Sequence, residues 1–197
     1  MNKLVEDIWD NFENTQKMST ETQIANIIND ILKVEAIEEA FSCVLVHQPG
    51  HENEKITTWQ NDLNGVIGGL TKEEQETAVR QFLSMTAAMT NHKRLQLLLS
   101  LLQNLVQSNF LSARLVCKYI LSDELQYQSE DFWVECFVLI RHIIDRVDYK
   151  EVREIMKRCK EKVQTMPAQL NESVQPQLKA LENVVEYIFD RNAKKYL

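Results

Sequence analysis

The chain has 197 residues, 44% of them hydrophobic and 26% charged, with four glycines, three prolines and a formal charge of −7. Residues 1 to 99 hold 8 basic and 15 acidic side chains and residues 100 to 197 hold 14 of each, a balance that disfavours polyanion binding driven by counterion release. So few helix breakers exclude a fold of many short turn-linked strands, and no apolar run approaches the roughly 20 residues needed to cross a bilayer.

Helix signals begin near the N-terminus. Leu4, Ile8, Trp9 and Phe12 fall on one helical face, interleaved with Glu6, Asp7, Asp10 and Glu13. Such a pattern suits either an amphipathic cap on the first helix pair or an acidic segment that docks in a groove. Thr20 and Gln23 have capping-box spacing and open a predicted helix over 20 to 40. Residues 42 to 52 read as a loop around Pro49-Gly50. A helix over 53 to 67 then ends at Gly68-Gly69, where one glycine is expected in the left-handed conformation.

Thr71 with Glu74 opens a helix over 72 to 89, and Asn91 caps the next over 92 to 107. Ser112 and Ser129 precede helices over 113 to 122 and 130 to 145. Asp148 with Glu151 opens the helix over 149 to 164, and Ser173 with Pro176 in the first turn opens the last, over 175 to 193. The helices around Leu98 and Phe137 are apolar over more than half their circumference and must be covered on several sides. Spacing from Thr71 to Ser112 and from Ser112 to Asp148 approaches the roughly 40-residue period of HEAT-like repeats. The expected fold is all-α, an irregular helical-repeat array of about eight helices. Residues 1–19 form an extension, 20–193 the repeat domain and 194–197 a tail.

Reactive chemistry is sparse. Cys43, His47 and His51 make a C-x3-H-x3-H string, yet nothing nearby supplies the fourth ligand of a structural zinc site, so no metal is expected. Cys43, Cys117, Cys136 and Cys159 are widely spaced and read as free core thiols. No P-loop, G-x-G-x-x-G, G-x-S-x-G or H-E-x-x-H motif is present, so neither catalysis nor a cofactor is expected. The helix over 149 to 164 carries Lys150, Arg153, Lys157, Arg158, Lys160 and Lys162 against Glu151, Glu154 and Glu161. Lys150, Arg153, Lys157 and Arg158 are therefore the candidate protein-docking residues, and a nucleic-acid-binding module using this helix is the alternative. A merely solvated face is the competing structural reading.

Specific sequence blocks add to this. Thr20-Glu21-Thr22-Gln23, Val34 to Phe41, Gly68-Gly69-Leu70, Ser112 to Cys117, Ile143 to Arg153 and Tyr187 to Ala193 occur in an order and spacing that resembles the N-terminal region of the Mediator subunit 23 family. The match covers about residues 20 to 193; Met1 to Ser19 precede the family's usual start, and family members continue past Ala193 into a much longer helical body. The resemblance implies a nuclear, noncatalytic subunit of the Mediator coactivator complex that links DNA-bound activators to RNA polymerase II. Its implied partners are other Mediator subunits and activators, with no direct sequence-specific DNA contact, membrane or small-molecule substrate.

Overall fold

A computed structural model describes residues 19–33, 51–125 and 128–193. Among them are eight α-helices and no strand: α1 (Thr20–Lys33), α2 (His51–Gly68), α3 (Lys72–Ala87), α4 (His92–Gln107), α5 (Ala113–Ile120), α6 (Glu130–Ile143), α7 (Tyr149–Gln164) and α8 (Ala168–Ala193). Short 3-10 turns, Asp123–Leu125 and Ile144–Arg146, follow α5 and α6. The all-α expectation holds. The expectations for residues 1–18, for 34–50 with Cys43 and His47, and for the tail at 194–197 lie outside the described residues.

Helix starts follow local hydrogen bonding. At α3 the capping box is complete: the Glu74 amide donates to Thr71 Oγ1 at 3.3 Å, and the Thr71 amide donates to Glu74 Oε2 at 2.8 Å. Asn91 and Ser129 cap α4 and α6 by accepting from the amides of Arg94 and Phe132. Three expectations need correction. At α1 the cap is Ser19, which accepts from the Thr22 amide at 3.2 Å, because Thr22 is the third helical residue and its amide is within reach of the residue just before the helix. Asp148 caps α7 alone, accepting from the Lys150 amide, since Glu151 turns outward to Arg114 at 2.7 Å. Helix α2 starts at His51, two residues before the expected start at 53.

The last helix also begins earlier than its proline suggests. Asn171 donates its amide to the Pro167 carbonyl at 2.9 Å, so α8 starts directly after Pro167 and encloses Pro176. Ser173 is inside this helix, donating its hydroxyl to the Gln169 carbonyl. An interior proline lacks the amide that the Glu172 carbonyl would accept, and its ring crowds that carbonyl. Pro176→Ala is expected to raise stability by about 1–3 kcal/mol, read as a higher denaturation midpoint at unchanged slope.

The left-handed residue in this region is Asn109 (φ 62°), and neither Gly68 nor Gly69 has positive φ. The Asn109 amide donates to the Val106 carbonyl and the Phe110 amide to that of Leu105, which is the Schellman ending of α4. That ending presses Phe110 onto α2. A Cβ at Gly68 would lie 3.2 Å from the Phe110 ring, so close approach rather than backbone conformation explains this glycine.

Helices two apart in the chain contact each other. One row runs α1, α3, α5, α7 and the other α2, α4, α6, α8, with α1 also against α2 and α7 against α8. Partner residues recur about forty positions apart: Tyr119 with Arg80 and His142 with Gln103 are each separated by 39. This pattern is compatible with a helical-repeat array. Helix α6 lies between α4 and α8, and its Phe132, Trp133 and Phe137 are the largest fully buried side chains among the described residues. Along α8, Leu178, Leu181, Val185 and Ile188 are buried and Val184 and Phe189 half-buried.

Candidate docking surface

The basic helix α7 has one apolar face and two charged flanks. Val152, Ile155, Met156, Cys159 and Val163 point inward and are buried. The flank facing α5 is engaged within the protein. Glu151 pairs with Arg114, Arg158 donates to the Leu121 carbonyl at 3.4 Å, and Lys162 Nζ donates to the Ser122 carbonyl at 2.7 Å. These two cations meet carbonyls at the C-terminal end of α5, where the helix dipole and unpaired carbonyls favour positive charge. Of the predicted docking residues, Arg158 therefore serves to tie α7 to the end of α5.

The opposite flank is open. Arg153, Lys157 and Lys160, with Glu161 and Gln164, border a shallow hollow of about 380 Å³ whose floor includes Met156 and Val185. Lys157 is exposed and 3.7 Å from Glu161, a contact worth little in water. Lys160 pairs with Glu182 at 2.8 Å, and this ammonium holds the Glu182 carboxyl below its usual range. The Arg153 guanidinium lies 4.8 Å from the Phe189 ring centroid, and Tyr149 meets the same ring edge-on at 4.9 Å. Lys150 is exposed in the first turn. The structure thus brings Arg153 and Lys157 together with Lys160, which sequence reasoning had not chosen, and leaves Lys150 apart from the hollow. The spacing of four and seven residues from Arg153 to Lys157 and Lys160, which puts all three on one helical face, was the available signal.

A second surface escaped the sequence reading. Glu76 accepts from the Tyr119 hydroxyl at 2.9 Å and from Lys118 Nζ at 3.2 Å, and both bonds, that of Tyr119 first, lower its pKa. Arg80 donates to the Tyr119 oxygen and pairs with Glu124 at 3.2 Å. This network joins α3 to α5. Its members lie some forty residues apart, so only a known repeat register would have revealed it.

Nothing in the described geometry resembles a reactive centre. Cys117, Cys136 and Cys159 are buried free thiols; burial pushes all three up, Cys159 to about 12. The reactive thiolate is thereby suppressed. His142 is held below its usual value by burial and then by Arg141, and its Nδ1 lies 3.1 Å from Gln103 Oε1 on α4. Among the described residues no group of three or more His, Cys, Asp or Glu could hold a metal ion, and no helix is long and apolar enough to cross a membrane.

The sequence family described as Mediator complex subunit 23 matches residues 20–195. Three relatives carry the name Mediator of RNA polymerase II transcription subunit 23. The Drosophila melanogaster protein is 38% identical over 173 residues, covering 87% of this chain and 12% of the relative. The Danio rerio protein is 36% identical and the Homo sapiens protein 34%, each over 174 residues, covering 88% of this chain and 13% of the relative. The chain therefore spans about one eighth of the length of these relatives.

Proposed function

Because the chain belongs to the Mediator complex subunit 23 family, we propose that it acts as a noncatalytic helical scaffold of the Mediator coactivator complex. In this reading it works in the nucleus, contacts other Mediator subunits, and helps link DNA-bound activators to RNA polymerase II through protein contacts. The observation that carries the reading is the family match across nearly the whole helical region, residues 20–195. Buried thiols and a two-row helical body support binding over chemistry.

The docking surface in this proposal is the open flank of α7, with Arg153 and Lys157 at the hollow, Lys160 beside them and Lys150 at the helix start. Arg158 supports it by tying α7 to α5. A net-acidic chain whose basic helix is partly neutralised by Glu161, Glu182 and Glu151 is poorly suited to nucleic acid, and neither the fold nor the relatives favour that alternative.

Charge reversal tests the surface. The double variant Lys157→Glu, Lys160→Glu is expected to slow association with a synthetic acidic activation segment about tenfold at low salt, with the difference shrinking as salt rises. Lys157 is solvent-facing and its reversal should change melting little, whereas Lys160→Glu also loses the Glu182 pair, so the association rate is compared only after circular dichroism shows the double variant folded. An unchanged association rate in a folded variant would remove this flank from the binding site.

A further inference from the structure

The turns after α5 and α7 enclose a cleft of about 430 Å³, the size of an ordinary ligand pocket, at one end of the two-row body. Its lining combines Trp133 from α6, Lys162 and Thr165 from the end of α7, Met166, Pro167 and Leu170 leading into α8, and Asp123 and Gln128 from the α5–α6 connection. Lys162 dominates its chemistry. Only 10% of this side chain is exposed, and its Nζ lies 5.1 Å from the Trp133 ring centroid. An ammonium has three donors. The Ser122 carbonyl takes one at 2.7 Å, while the Asp123 carboxylate stands off at 3.9 Å with 93% of its side chain in solvent.

We propose that this cleft is a docking site for a protein segment that presents one carboxylate side chain flanked by large apolar residues. The carboxylate would accept the donors of Lys162 that Ser122 leaves over, displacing the loosely held Asp123. The apolar flanks would lie on Met166, Pro167, Leu170 and the edge of Trp133. A carboxylate contact to an ammonium with only 10% of its side chain exposed is stronger than one on the open flank of α7, where water competes more freely. Charge complementarity also selects the class of partner: the one nearly buried ammonium, beside the apolar surfaces of Trp133, Met166, Pro167 and Leu170 and opposed only by the solvated Asp123 carboxylate, fits a single carboxylate on an apolar body, and the lining lacks the several cations that a polyphosphate needs. Burial first, and the nearby Arg158 charge, lower the Lys162 pKa, while Asp123 acts to raise it.

The proposal rests on reading the chain as a protein-docking scaffold, but its site is distinct from the α7 flank. The test uses the full 15N-labelled chain and two end-blocked tripeptides, acetyl-Leu-Glu-Phe-amide and acetyl-Leu-Gln-Phe-amide, followed through the indole N–H resonance of Trp133. The Glu peptide is expected to shift this resonance saturably, and the Gln peptide to bind about tenfold more weakly, the factor one charge-assisted hydrogen bond supplies. Lys162→Gln retains a donor for the Ser122 carbonyl and should lose the same factor, whereas Lys157→Glu should leave the titration unchanged. An unmoved Trp133 resonance, equal binding of the two peptides, or equal loss from Lys157→Glu would overturn the proposal. Capture of Mediator subunits by the Lys162→Gln chain is scored separately, so a failed cleft and a failed scaffold reading give different results.

Discussion

Phe137→Ala is expected to destabilise the chain by about 3–5 kcal/mol, a large part of the roughly 5–15 kcal/mol available to a domain. Phe137 is fully buried on α6, the helix packed between α4 and α8, so truncation leaves a cavity that two neighbouring helices border. Both would have to shift to fill it. Denaturant titration should show a markedly lower midpoint. Tyr187→Ala is the control: this side chain is 66% exposed on α8, and its loss should change stability by no more than about 0.5 kcal/mol. Equal effects from the two variants would contradict the placement of α6 at the centre of the core.

Lys162→Glu is expected to cost about 2–4 kcal/mol, because it replaces a nearly buried cation with an anion facing the carbonyls that end α5. The new carboxylate would meet the Ser122 carbonyl and Asp123, and would lose the Trp133 ring contact. Two contacts change from attraction to repulsion and the third disappears. Lys157→Glu on the same helix should cost far less, since Lys157 is 67% exposed and only loosely paired with Glu161. Comparable destabilisation by both would refute the division of α7 into a structural flank and an open one.

Much of the fold was legible because its signals are local. Capping at Thr71, Asn91 and Ser129 depends on residues three apart, and the apolar girdle of α6 follows from the helical period alone. Pro176 misled the reading because a proline marks a first turn only when propensity decides, and here the apolar stripe from Val174 through Leu178 and Leu181 holds the helix together across it. Gly68 was read as a conformational glycine when Phe110, forty-two positions away, explains it through contact. That kind of reason is tertiary. The same holds for α7, whose six basic residues look equivalent in sequence. Arg158 and Lys162 differ from Lys157 because the end of α5 lies beside them, and nothing in the local pattern of α7 specifies that neighbour.

The central claim, that this helical body is a working part of Mediator, is tested most directly by what the chain captures. The full tagged chain should be purified from nuclear extract alongside the destabilised Phe137→Ala variant, and the associated proteins identified by mass spectrometry. The account predicts that the intact chain recovers several Mediator subunits and that recovery falls in proportion to the folded fraction of the variant. Recovery of no Mediator subunit by a demonstrably folded chain, or equal recovery by folded and unfolded forms, would contradict it.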